Sequence, residues 1–167
     1  MKLDLACGQR KQPDHVGVDC VALPGVDLVL DLERYPWPFE DSSVAEIYCS
    51  HYVEHVSDLM RFFNECHRIL IPGGTMQVIC PYYTSIRCWQ DPTHKHAISE
   101  HTFLYYNKKW REDNGLGHYP ITADFEFTFA WDVVPELAEK SREEQLHAIR
   151  HEWNVVADIS VSLTKRS

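Results

Sequence analysis

Two short stretches near the start of the chain have the residue types and spacing to hold a nucleoside. Leu3-Asp4-Leu5-Ala6-Cys7-Gly8 interleaves apolar residues with one acid and ends in glycine. That is the pattern of a buried strand breaking into a tight turn, where a backbone without Cβ can lie against a ligand. After Gln9 to His15, Val16-Gly17-Val18-Asp19 reads as a second strand ended by a carboxylate. In a parallel sheet the first turn cradles one part of such a ligand, and the acid at the second strand's tip accepts hydrogen bonds from ribose hydroxyls. Taken singly, either stretch also fits a purely structural strand, so it is the pairing that points to a site.

The histidines form a second set. The chain has ten in 167 residues, and five fall into two groups, His51 and His55, then His94, His96 and His101. His51 and His55 share a face on a helical turn, and His94 and His96 share one if extended. Three kinds of chemistry suit them: lining a polar pocket, acid-base work near neutral pH, or holding a metal such as zinc. His55 and His94 are the candidate catalytic bases for an acceptor hydroxyl. For a metal no Asp or Glu ligand is fixed with them, although Glu54 and Glu100 keep that reading open; no Cys-x-x-Cys pair assists, and no metal residue is assigned.

Positioning these groups requires strands that open at one edge of a sheet. Val26 to Leu32 reads as a third strand, with Asp31 at its end. Pro36-Trp37-Pro38-Phe39 forbids regular helix, so Glu33 to Ser43 is an irregular loop. Val44 to Ser50 is a fourth strand that opens into Cys49-Ser50-His51-Tyr52-Val53-Glu54-His55. From Ser57 an apolar stripe at helical spacing runs through Leu59, Met60, Phe62, Phe63, Cys66, Ile69 and Leu70, capped by Ser57 or Asp58 and stopped by Pro72-Gly73-Gly74. Thr75 to Cys80 is a fifth strand, Thr84 to His96 a polar link, and Ser99 to about Tyr106 a helix. Asn107 to Thr122 reads as a mobile loop. Phe125 to Trp131 alternates as a sixth strand, Pro135 to His151 is a helix, and Asn154 to Leu163 a closing strand.

The chain's 44% hydrophobic and 25% charged residues describe an ordinary globular domain. It is expected to be one domain over residues 1–167, with a cofactor-binding half at 1–83 and an acceptor-side half at 84–167. The net charge of −9 argues against a phosphate-backbone partner, so no nucleic acid is expected. No apolar run approaches ~18 residues, so no membrane partner is expected either. The six cysteines, several inside apolar runs, point to reduced thiols in a reducing, cytoplasmic compartment.

The order of strand and turn, strand and acid, strand and acid, strand and polar cluster, helix, Pro-Gly-Gly and strand resembles the class I S-adenosylmethionine-dependent methyltransferases. More narrowly, it is similar to their small type 11 branch. The resemblance implies a Rossmann-like α/β fold, a mostly parallel sheet of about seven strands with an antiparallel C-terminal strand. It implies S-adenosylmethionine as cofactor and a methyl transfer whose acceptor is expected to be small or sugar-like. Carried across, Asp4 belongs to the first motif, the methionine end of the cofactor lies on the backbone of Ala6, Cys7, Gly8 and Gln9, and the ribose on Asp19. The adenine lies beside Asp31 and Leu32, and the sulfonium near Ser50 and His51.

The chain departs from the family in two ways. Further glycines after Gly8 are absent, which suits a ligand without phosphates. Only seven residues, Gln9 to His15, join the first two strands, and about as few join the next two, where a crossover helix needs ~10–12. Seven extended residues span roughly 23–25 Å against a strand of about 17 Å, so the parallel order survives and the first crossover helices do not. One sheet face should then be under-covered, and either the helix Pro135–His151 or a second copy of the chain, as a homodimer, is expected over it. Two rival functions are a cofactor-binding module with reduced catalysis and a histidine-based metal hydrolase.

Overall fold

Alternation along the strands decides which side of the sheet is covered. The computed structural model describes residues 1–166. Its strands are β1 (Lys2–Leu5), β2 (Val16–Asp19), β3 (Leu28–Val29), β4 (Val44–Ser50), β5 (Leu70–Pro81), β6 (Phe125–Val133) and β7 (Val156–Lys165). They form one sheet in the order β3-β2-β1-β4-β5-β7-β6. Pairing is parallel from β3 through β5, and β7 is antiparallel to both of its neighbours. The expected seven-stranded, mostly parallel α/β architecture is present. Chain order reverses between β1 and β4, and ligands of such sheets bind outside the strand ends at that reversal.

Residues 6–15 and 20–27 contain turns and no helix, as the short links predict. Carboxylates hold them in place of helical packing. Asp4 Oδ2 accepts from Gln12 N–H (2.7 Å), and Asp27 Oδ2 accepts from Gly17 N–H (2.7 Å) and from Lys11 Nζ (2.7 Å). These contacts bring the links so close that a Cβ on Gly17 would stand 2.7 Å from Gly25 O. Asp27 is diverted to this knot, so the third strand shrinks from the expected Val26–Leu32 to two residues.

The proline-bounded loop 33–43 is pinned to the helix α1 (Leu59–Ile69). Trp37 is buried, with Nε1 donating to Leu32 O (3.1 Å) and its backbone N–H to Glu65 Oε1 (2.6 Å). Arg68 pairs with Glu65 and donates to Phe39 O and Trp37 O. At the start of α1, Asp58 Oδ1 accepts from Arg61 N–H (3.0 Å), and Phe62, Phe63, Cys66 and Ile69 are buried as the stripe predicts, whereas Met60 is exposed. The helix passes directly into β5, so Pro72-Gly73-Gly74 ends the helix from within the strand and not from a separate turn.

Three other expectations need correction. The polar link holds a short helix, α2 (Ile86–Gln90), and the expected mobile loop holds another, α3 (Lys108–Asp113), after the 3-10 helix Glu100–Tyr106. Arg111 on α3 is buried and donates to the carbonyl oxygens of Tyr105, Ile121 and Ala123, which fastens the segment. The helix expected over Pro135–His151 is two, α4 (Pro135–Ala138) and α5 (Arg142–His151). Between them Ser141 and Glu144 cap α5 reciprocally.

The under-covered face differs most from expectation. Across four strands, Ile47, Met76, Leu163 and Phe127 form one row and pack toward α1 and the 3-10 helix. The adjacent row, on the opposite face, is Tyr48, Gln77, Ser162 and Thr128. Here Gln77 Nε2 donates to Ser160 Oγ (2.7 Å) and Ser162 Oγ donates to Gln77 Oε1. The helix α5 lies beside the 3-10 helix, its Leu146 and Ile149 turned to a cavity shared with Tyr82 and Trp131. It covers the already covered side. The open face is polar and in the monomer needs no lid.

Candidate active site

The tips of β1 and β2 are joined by a direct bond: Gly8 N–H donates to Asp19 Oδ2 (2.9 Å), and Val21 N–H to Asp19 Oδ1 (3.0 Å). A carboxylate has about four lone-pair positions, so two remain for hydroxyls of a ligand. Ala6 and Gly8 take the left-handed conformation, with φ of 55° and 53°. For Ala6 that is a strained conformation of the kind that clusters at ligand sites. Nothing lies within 4 Å of where a Gly8 Cβ would be, so the turn faces open space.

A cavity of about 380 Å³ opens at these tips, of a size typical for a nucleoside-scale ligand. Ala6, Asp19, Asp31 and Leu32 line it, together with Tyr52 and His55. Four of the ten residues expected to hold the cofactor therefore meet in one space. Asp4 does not reach it: it is buried beneath the turn, where burial pushes its carboxyl above the usual range and the Gln12 N–H only partly opposes the shift. Cys7, Gly8 and Gln9 supply the turn and not the wall. Ser50 ends β4, and His51 follows it with φ of 53° and its N–H on Ile79 O (2.8 Å).

His51 sits between two acids, Nδ1 at 3.4 Å from Glu54 Oε1 and Nε2 at 3.7 Å from Asp158 Oδ2. Glu54, then Asp158, favours its protonated form against burial, and its pKa is raised. The residues that sequence reasoning missed in the cavity are Cys20, Leu30, Glu33, Tyr52 and Lys95. Tyr52 and Lys95 were signalled by position, since they lie inside the two polar clusters. Cys20, Leu30 and Glu33 carried no signal.

The two histidine groups come together only in part. His55 and His94 stack edge to face, 4.6 Å between ring centroids. His96 Nε2 instead bonds Val56 O (2.8 Å), and His101 is exposed beside Glu100. The hydrogen bonds fix the tautomers of the stacked pair. A carbonyl only accepts, so His94 Nδ1 carries the hydrogen toward Cys88 O (2.9 Å). Thr93 Oγ1 gives its own hydrogen to Asp91 Oδ1 (2.7 Å), so it accepts from His55 Nδ1 (3.0 Å). In each neutral ring Nε2 is left with a bare lone pair.

The comparisons with known proteins agree with this geometry. Residues 3–78 match the type 11 family model described as "Methyltransferase domain". No curated protein matches the chain in sequence. Among solved structures it is similar to a SAM-dependent methyltransferase from Archaeoglobus fulgidus, 20% identical, with a TM-score of 0.68 over 98% of this chain and 85% of that one. It also resembles an S-adenosylmethionine-dependent methyltransferase from Mesorhizobium loti, 16% identical, TM-score 0.59, over 98% and 90% of the two chains. A geranyl diphosphate methyltransferase in complex with SAM is 17% identical, TM-score 0.58, over 99% and 77%. The matched motifs, the strand order and the cavity at the switch point converge: residues 3–78 match the methyltransferase domain model, and the whole chain has the fold of the S-adenosylmethionine-dependent methyltransferases.

Proposed function

We propose that the chain methylates a small-molecule or sugar-like acceptor, with Asp19 holding the ribose, Asp31 and Leu32 the adenine, and His55 and His94 activating the acceptor. The observation that carries this is one shared cavity, in which Asp19, Asp31 and His55 line the same space. S-adenosylmethionine supplies a methyl group on a cationic sulfonium, open to in-line displacement by a nucleophile. The rest of the work falls to this chain's residues. The Ala6–Gln9 backbone and Asp4 beneath it shape the turn for the methionine end, Ser50 and His51 border the sulfonium side, and Asp19, Asp31 and Glu33 make the surroundings suit a cation. The bare Nε2 of His55 or His94 receives the acceptor's proton, and the main contribution is holding the nucleophile about 3 Å away and in line.

The chain's net charge of −9 disfavours a nucleic-acid acceptor. Among the described residues no helix is long and apolar enough to cross a membrane. Six free cysteines, five of them buried, support the cytoplasmic reading. A homodimer over the open sheet face would be held by polar contacts alone.

Calorimetry with S-adenosylmethionine and S-adenosylhomocysteine tests the reading. Removing a charged acceptor of ribose hydroxyls costs about 1.5–3 kcal/mol, so Asp19→Ala should weaken both ligands by roughly 10–100-fold. Unchanged affinity would show that the ribose lies elsewhere. Tight binding with no methyl release across acceptor pools would make the chain a binding module.

A further inference from the structure

Glu54 is 1% exposed, and neither of its carboxylate oxygens has a hydrogen-bond partner. His51 Nδ1 comes to 3.4 Å of Oε1 but is not aligned to donate. A carboxylate buried without donors costs several kcal/mol unless something cationic answers it. Its other neighbours do not donate either. One Glu54 oxygen and one ring nitrogen from each of His55 and His94 lie within 4.8 Å of one another. Thr93 and Cys88 take the Nδ1 hydrogens of those rings, so both present a bare Nε2, and Asp91 Oδ2 adds another acceptor 3.9 Å from His94 Nε2. His51 aside, the groups that converge here, Glu54, His55, His94 and Asp91, all present acceptors.

We propose that Glu54, His55 and His94 bind a divalent transition-metal cation of the zinc class. Two imidazoles and one carboxylate are a donor set zinc takes when it keeps a fourth position open, with bonds of about 2.0–2.2 Å. Closing the three atoms onto such an ion requires movements of about 1 Å. The outer contacts are those of a built metal site, since each histidine is oriented by a hydrogen bond from its other nitrogen. His55 also lines the cofactor cavity, so an ion held there would adjoin that space. The proposal thus rests on the reading of that cavity given above and changes one part of it: a bound cation would take both lone pairs, so the histidines would hold the acceptor through the ion and its hydroxyl proton would leave to solvent. The acceptors that fit are hydroxyl or carboxylate compounds able to ligate the metal, whose hydroxyl becomes more acidic there.

The test uses the whole chain, stripped with chelator and titrated with zinc, and separately with cobalt(II), whose visible absorption reports its ligands. One equivalent should bind, with a cobalt spectrum of nitrogen and oxygen coordination. Glu54→Gln, of the same shape, and His94→Gln should each weaken binding at least 100-fold, while exposed His101→Gln binds as the parent does. Should Glu54→Gln fail to fold, the parent titration and His94→Gln carry the test. A parent that binds S-adenosylmethionine but no stoichiometric metal overturns the metal proposal alone. A parent that binds metal but no nucleoside overturns the cofactor reading and leaves this one standing. Variants that bind zinc as the parent does would place the ion at other ligands and overturn the assignment.

Discussion

His67 projects from the last turn of α1 against Phe125, 5.1 Å between ring centroids, with its Nε2 buried and unpartnered. Burial, then the nearby Lys165 charge, disfavours the imidazolium and moves its pKa down to about 4 from an ordinary 6.5. Below about pH 6.5 the unfolded chain takes up a proton that the folded chain refuses, so the stability His67 contributes is complete above that pH and is lost as pH falls toward 4. One proton sets a ceiling of about 1.4 kcal/mol per pH unit, and the ring's partial exposure lowers it. Thermal melts of the parent and His67→Gln from pH 7 to 4.5 should show the parent losing more stability across that window. Parallel curves would place the ring in contact with water. At this scale the sequence disclosed what a spacing can carry: Asp19 ends β2, and Asp31 stands two residues beyond β3, beside it in the same cavity. It did not disclose that Asp4 points inward or that Glu54 is buried, because each depends on what lies across the sheet.

At the scale of elements, legibility followed periodicity. The strands β1, β2 and β4 and the helix α1 have unbroken patterns and appear where those patterns put them. Segments held by single long-range polar contacts do not announce themselves. Asn107 to Thr122, with two glycines and a proline, reads as loose chain, yet Asn107 caps α3 by accepting from Trp110 N–H, and Arg111 reaches three carbonyl oxygens. Burial lowers the Arg111 pKa, although nearby Asp124 and Glu112 favour its charge. Arg111→Met keeps much of the volume and leaves those carbonyls without a donor. The expected cost is about 2–3 kcal/mol, or roughly 2–4 °C in Tm for each kcal/mol in a chain of this size. Proteolysis should then cut first between residues 107 and 122. A melt within 1 °C of the parent would mean water replaces the guanidinium.

For the whole molecule, the missing crossover helices raise the question of what covers the half-bare sheet. A parallel sheet is ordinarily apolar on both faces because helices cover both. In this chain the strands beyond the switch point carry Glu46, Gln77, Ser160, Ser162 and Thr164 on the side that no helix covers. Neighbours answer several of them, Lys2 pairing with Glu46 (2.6 Å) and Gln77 bridging two serines. The sequence therefore had the answer in its alternation, but the length argument alone demanded a lid. A stable dimer buries about 1,200–2,000 Å² around an apolar centre, and satisfied polar groups gain little by exchanging water for each other. The expected solution mass is accordingly that of one chain, 19.5 kDa, unchanged on dilution from high to low micromolar concentration in sedimentation equilibrium. A dimer mass would direct attention to exposed apolar side chains, Val29 on the edge strand β3 among them. In that case Val29→Lys should return the chain to a monomer, and failure to do so would place the contact on another surface.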